Sequence, residues 1–223
     1  MSRRCVSRPG RTLSLVVLAI CLAGTICVQD AGAQTVRVLV SEGRTSLRVA
    51  SGGGLTLTDV TGRRILAQRG GSEPFHLVLH GNAVLIREAR TSAQRVLVWP
   101  GRIPTVDLEG QAYRGRLEVQ PLNGGLAAVN VVELEEYLQG VLKDEIPPGW
   151  PAEAAQAMAV VARTYAMYMM EQNPGGVFHL RATTASQVYG GATGEDPRTS
   201  WAVQATRGQI LTFGGQPIPA FYH

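Results

Sequence analysis

Cysteine is scarce in this 223-residue chain, and its three copies (Cys5, Cys21, Cys27) all precede residue 34. Arg3, Arg4, Arg8 and Arg11 lead into an apolar run from Leu13 to Val28, and Ala31-Gly32-Ala33 follows. That is the layout of a secretory signal peptide over residues 1–33. After its cleavage no disulfide framework or cysteine-ligated metal is available. The run is short for a span, so no stable membrane insertion is expected once it is removed. Excess charge is lacking too. The leader takes four arginines and Asp30 with it, so 21 basic and 17 acidic residues become 17 and 16, which gives no case for nucleic acid. Lysine is reduced to Lys143. Histidine is sparse, and His76, His80 and His179 lack metal-ligand spacing. Ser186 has no neighbouring histidine to activate it, and Gly52-Gly53-Gly54 lacks the lysine and helix of a phosphate loop.

What the chain has in quantity is short alternating apolar stretches. Val36, Val38 and Val40 alternate, as do Leu55 and Leu57, then Leu117 and Val119. Gly52-Gly53-Gly54, Gly70-Gly71, Gly81-Asn82 and Gly124-Gly125 punctuate them as turns. A small antiparallel sheet or barrel-like module is therefore expected up to Val132. The period changes at Glu133. Leu134, Tyr137, Leu138, Val141 and Leu142 mark one face of a helix, which Pro147 should end near Glu145. A second helix is expected from about Pro151 to Met170. It is apolar nearly all round, with Glu153, Gln156, Arg163 and Thr164 forming one narrow polar stripe. Asp196-Pro197 reads as an N-cap and first helical residue, with Gly208 as the stop. Gln209 to Phe213 and Pro217 to Tyr222 read as a hairpin around Gly214-Gly215. The fold class is α+β: an N-terminal antiparallel β-rich module, a two-helix core and a mixed strand/helix C-terminal part. The chain stops at His223 straight after a strand-like stretch, so a truncated product is expected.

One carboxylate stands out. Glu145 lies eleven residues after Leu134, which on a helix turns it only about 20° from that apolar direction. It also sits at a helix C-terminus, where the partial negative charge opposes ionisation. Both effects raise a carboxyl pKa, which a general acid requires near neutral pH. The alternative is a helix-end glutamate tied to a nearby arginine. Trp150, Tyr165, Tyr189 and Tyr222 are either sugar-stacking aromatics or core.

The stretches "YRGRLEVQ", "VNVVELEEYLQGVLKDEIPPGWPAEAAQAMAVVARTYA", "SQVYGG", "AVQATRGQIL" and "IPAFYH" together resemble the stage II sporulation protein D (SpoIID) family, also called the SpoIID/LytB or amidase-enhancer family. The likeness covers residues 106–223 closely and the β-rich region 34–105 more loosely. It implies work outside the cytoplasm, in the periplasm or cell wall, with peptidoglycan glycan strands as partner and possible pairing with a cell-wall amidase. The family's sporulation members are lytic transglycosylases acting on strands stripped of stem peptides. The family's catalytic glutamate falls on Glu145. Arg163, Ser186, Gln187, Tyr189, Thr206 and Tyr222 fall on motif positions that line its cleft and are expected substrate contacts. Arg163 can bind a muramyl carboxylate or form a structural ion pair with Glu145 or Glu153. The chain departs from the family pattern in Gln156, where lysine is common, and in Met158, where glutamine is common. Some relatives bind zinc just before the Gln-x-Tyr motif. Here that stretch keeps only His179, so no zinc and no other cofactor is expected. The Ser-x-Gly-Gly segment that usually follows lies beyond His223. The rival expectation is a non-catalytic activator of an N-acetylmuramoyl-L-alanine amidase.

Overall fold

The computed structural model describes residues 26–28, 34–146 and 149–222. The expected signal peptide lies outside the described residues except for Ile26–Val28, and Pro147, Pro148 and His223 also lie outside them. In chain order the first strands are β1 (Ile26–Val28), β2 (Thr35–Arg44), β3 (Ser46–Ala50), β4 (Leu55–Thr58), β5 (Ile65–Arg69) and β6 (Phe75–His80). There follow β7 (Ala83–Ile86), β8 (Thr91–Ala93), β9 (Val96–Pro100), β10 (Thr105–Leu108), β11 (Gln111–Arg114), β12 (Arg116–Leu122) and β13 (Gly125–Glu133). Then come helices α1 (Leu134–Glu145) and α2 (Ala152–Gln172), β14 (Leu180–Arg181) and a 3-10 turn (Gly191–Gly194). Helix α3 (Pro197–Ala205), β15 (Gln209–Phe213) and β16 (Gln216–Pro217) complete the described chain. The structure is α+β, with strands first and helices after.

The strands form two larger sheets rather than one small one. A six-stranded sheet runs β11-β10-β3-β6-β7-β8, and a seven-stranded sheet runs β14-β2-β13-β12-β9-β4-β5. Both draw strands from either side of residue 105. The alternation read from the sequence sends Val36, Val38, Leu55, Leu57, Leu117 and Val119 into one core, where they meet Leu47, Leu77 and Ile86 of the other sheet. Strand β13 sits between β2 and β12 and is buried on both faces from Gly125 to Val132. Its outward residues Ala127, Val129 and Val131 pack with Leu39 beneath Val177 and Phe178. A central strand buried on both sides reads as a continuous apolar run, as "GLAAVNVV" does. Neighbouring pairs are antiparallel except β14 on β2.

Helix α1 follows β13 directly. Tyr137, Leu138, Val141 and Leu142 are fully buried, and Glu135 and Glu136 place negative charge at the helix start, where the dipole favours it. Helix α3 starts as expected, with the Asp196 carboxylate accepting from the Arg198 and Thr199 backbone N–H groups and Pro197 at the first position. The β15–β16 hairpin turns through Gly214 and Gly215, both at positive φ. Its second strand is shorter than expected. Ile218 still donates its N–H to the Leu211 carbonyl at 3.2 Å, but Pro219 carries no N–H to continue the ladder, and residues 218–222 lie outside any strand. On its other edge β15 pairs with β1. No helix of the described residues is long and apolar enough to cross a membrane.

Candidate active site

Glu145 is the last residue of α1. Ile146 leaves the helix in an extended conformation (φ −113°, ψ 109°), as expected for a residue before proline. Ile146 is buried against Ala155 of α2 and Ala202 of α3, with Met158 packed on them. The methionine where relatives often carry glutamine therefore adds apolar surface beside the residue that follows Glu145. Glu145 itself is half-buried, and among the described residues no hydrogen bond or ion pair engages it. Burial, with a smaller contribution from the adjacent Asp144 carboxylate, holds its pKa above the ordinary carboxylate value.

A chain of hydrogen bonds runs close by. Fully buried Tyr137 donates to Gln187 Oε1 at 3.0 Å. Gln187 Nε2 donates to the Tyr222 hydroxyl at 2.7 Å and to the Ala162 carbonyl at 3.3 Å. Tyr222 Oη thus accepts, which leaves its own proton to be donated elsewhere. Burial raises the pKa of both phenols, and the negative charge of Glu145 raises each further, which puts the carboxyl within electrostatic reach of both hydroxyls. Against Tyr222 lies a cavity of about 140 Å³ lined by Tyr165, Thr184, Ala185, Ser186, Phe221 and Tyr222. Ser186 Oγ accepts from the Arg181 backbone N–H at 3.2 Å.

Of the residues expected to line a cleft, the structure thus brings together Glu145, Gln187 and Tyr222, with Ser186 at the cavity wall. Gln187 is itself buried, its amide spent on Tyr137, Tyr222 and Ala162, and three others also lie inside the protein. Arg163 is 1% exposed and bonded bidentately to Glu135, Nε–Oε1 at 2.9 Å and Nη2–Oε2 at 2.7 Å. The same guanidinium donates to the Val203 and Gln209 carbonyls at 3.1 Å each. Its partner is neither Glu145 nor Glu153, and its donors are occupied by protein. Thr206 is buried, donating to the Ala202 carbonyl at 2.9 Å. Tyr189 packs its ring on Tyr137 with centroids 4.8 Å apart and donates to Asn130 Oδ1 at 2.9 Å. The polar stripe of α2 accordingly divides. Glu153 is exposed, whereas Arg163 and Thr164 are buried and bridge to β15.

Four contributors were not evident from the sequence. Tyr137 read as one more apolar position of α1, yet its hydroxyl starts the hydrogen-bond chain. Phe221, within "IPAFYH" but not singled out there, and Thr184 both line the cavity. Gly140 is a structural requirement: a Cβ there would lie 2.6 Å from both the Gly191 carbonyl oxygen and the Tyr189 ring. Only glycine lets the 3-10 turn and Tyr189 approach α1 this closely.

Comparison with known proteins places these observations beside a family model and several relatives. Residues 122–213 match the family model described as stage II sporulation protein. An uncharacterised protein of Brachyspira hyodysenteriae is 39% identical over 52% of this chain and 32% of its own length. The amidase enhancer of Bacillus subtilis is 28% identical over 66% of this chain and 21% of its own. Stage II sporulation protein D of the same organism is 32% identical over 43% of this chain and 32% of its own. The chain spans between a fifth and a third of the length of these relatives.

Proposed function

Since residues 122–213 are a SpoIID/LytB-family segment, we propose that this protein acts on the cell wall outside the cytoplasm, as a lytic transglycosylase with Glu145 as its single acid and base. The observation that carries the reading is the half-buried Glu145 carboxyl, unpaired among the described residues, held protonated to higher pH by burial and set beside the Tyr137–Gln187–Tyr222 chain. The one carboxylate that contributes to its shift is its chain neighbour Asp144, which is exposed. A hydrolase with two carboxylates facing across a bond needs a second such group. One group suffices when the nucleophile belongs to the substrate.

In the first half of the reaction the Glu145 O–H gives its proton to the glycosidic oxygen between N-acetylmuramic acid and N-acetylglucosamine. The C1–O bond breaks and the leaving sugar departs as an alcohol. The Glu145 carboxylate then takes the proton of the muramic C6 hydroxyl while O6 bonds to C1. The ring closes as a 1,6-anhydro end, Glu145 is protonated again, and no water is consumed. Tyr222, its hydroxyl proton uncommitted to Gln187, can donate to the substrate near the same carboxyl.

A second reading, activation of a cell-wall amidase, is favoured by a different observation. Trp150, Trp201, Phe213 and Phe221 are each more than half exposed, and the relative named amidase enhancer aligns over 66% of the chain. Exposed large aromatics of this kind suit a protein partner. Glu145→Gln separates the two. Loss of glycan cleavage supports the enzyme, whereas undiminished stimulation of an amidase by a protein that never cuts glycan supports the activator.

A further inference from the structure

On the face of the seven-stranded sheet turned away from the main core, three arginines converge on one carboxylate. Glu118 of β12 accepts from Arg37 of β2 bidentately at 3.2 and 2.9 Å and from Arg116 at 3.1 Å. Arg95, from the turn between β8 and β9, holds Nη1 3.7 Å from the same carboxylate. Glu118 is nearly buried, and although burial opposes its ionisation, Arg37 and Arg116 keep its pKa below the ordinary value. One carboxylate neutralises one guanidinium, so two positive charges are left over in the cluster.

The three arginines are not equally occupied. Arg37 spends its remaining donor Nε on the Val177 carbonyl at 2.8 Å. Arg116 lies over the Trp99 ring at 4.9 Å, and its buried Nε has no hydrogen-bond partner among the described residues. Arg95 donates Nε to Gln120 Oε1 at 2.7 Å, and its Nη1 is beyond hydrogen-bond reach of Glu118. Arg95 and Gln120 open onto a cavity of about 410 Å³ whose wall also includes Asp59, Val60, Ala93 and Gln94. Asp59 adds one negative charge to the wall, but among the described residues it forms no ion pair with Arg95; its Oδ1 accepts from the Thr61 hydroxyl at 2.7 Å and backbone N–H at 3.2 Å. A cavity of some hundreds of cubic ångströms suits a small organic ligand rather than a bare ion. Arg95 brings its Nη groups to this cavity, with the surplus positive charge of Arg37 and Arg116 behind it, and a guanidinium so placed selects a carboxylate, which it binds in a planar fork.

We propose that Arg95, backed by the positive cluster around Glu118, forms a second, non-catalytic site that binds the carboxylate groups of peptidoglycan stem peptides, an identification that rests on the cell-wall reading above. None of its residues lines the cavity beside Tyr222. The division of labour follows from chemistry: a cleft that works on stripped strands gains from an anchor on neighbouring wall that still carries its peptides. Wall that has lost its carboxylates releases the protein.

The test is co-sedimentation of the full-length chain with purified wall freed of phosphate-bearing polymers, in native form and with its carboxylates amidated. The site predicts about tenfold weaker binding to amidated wall, the loss expected for one charge-assisted pair. The double variant Arg95→Gln/Arg116→Gln binds both forms as weakly as wild type binds amidated wall, and it cleaves short stripped strands normally. Equal binding of native and amidated wall by the wild-type protein overturns the proposal, and that comparison does not depend on the variant folding. Wild-type protein that ignores the wall but binds an acidic protein through these arginines overturns it too. If carboxylate-dependent binding persists in a protein that never cuts glycan, the transglycosylase reading falls and the site stands.

Discussion

Glu145 concentrates the account at the scale of one residue. A carboxyl whose folded-state pKa is raised stabilises the fold below its unfolded pKa and loses that contribution as pH rises through the folded value. At neutral pH the ionised form is therefore a cost to the native state, and a general acid must tolerate it. Glu145→Gln is expected to melt at a higher temperature than wild type at neutral pH and to lose that advantage in acid, read by differential scanning calorimetry across pH. The same substitution removes acid–base catalysis, worth about 10²–10⁴-fold in rate. In wild type, cleavage falls as pH rises through the elevated Glu145 pKa. Arg163 behaves in the opposite way. Its substitution by alanine strands the buried Glu135 carboxylate, and a broken buried pair costs about 3–5 kcal/mol. Chemical denaturation of Arg163→Ala checks this. A full loss of binding with unchanged stability would instead make Arg163 a ligand-contacting group.

At the scale of elements, α1 organises the site from both of its ends. Glu135 at its start ties α2, α3 and β15 together through Arg163, and Glu145 at its end lies within electrostatic reach of Tyr137 and Tyr222. Gly140, midway, admits Tyr189 and the 3-10 turn, whose Gly190 N–H donates to the Gly140 carbonyl at 3.0 Å. Gly140→Ala must push this layer outward, at a cost of about 1–3 kcal/mol for overpacking. Loss of cleavage should accompany it, since Tyr189 supports Tyr137; thermal melts and activity measured together check both. Helix α1 and its end were readable in advance because the 3.6-residue period and Pro147 are local signals. The Asp196 cap of α3 was readable for the same reason. Gly140 was not, because its role depends on residues 191 and 189, far along the chain. The burial of Arg163 was hidden likewise. Its place on a polar stripe left a ligand contact and an ion pair with Glu145 or Glu153 both open, and only the packing of α3 and β15 over that stripe supplies the carbonyls it bonds.

At the scale of the whole molecule, the helices stand on sheets that no contiguous half of the chain can build. Strand β13, which leads directly into α1, is paired on one side by β2 along most of its length. The core mixes Val36, Val38, Leu47 and Leu77 with Leu134, Tyr137, Leu138 and Leu142. The sequence displayed the strands through their alternation, but not their order, because non-local pairing leaves no periodic trace. A fragment of residues 106–222 should consequently expose the β13 edge and an apolar sheet face, and aggregate instead of folding. Expression of that fragment, followed by size-exclusion chromatography and circular dichroism, tests the point. A monomeric, cooperatively melting fragment would show that region 34–105 is dispensable for the fold.

The measurement closest to the central claim is mass spectrometry of the products released from stripped glycan strands by wild type and by Glu145→Gln. The account predicts 1,6-anhydromuramic ends, one water lighter than hydrolysis products, from the wild-type protein, and no products from the variant. Reducing ends carrying the added water, or undiminished cleavage by Glu145→Gln, would contradict it.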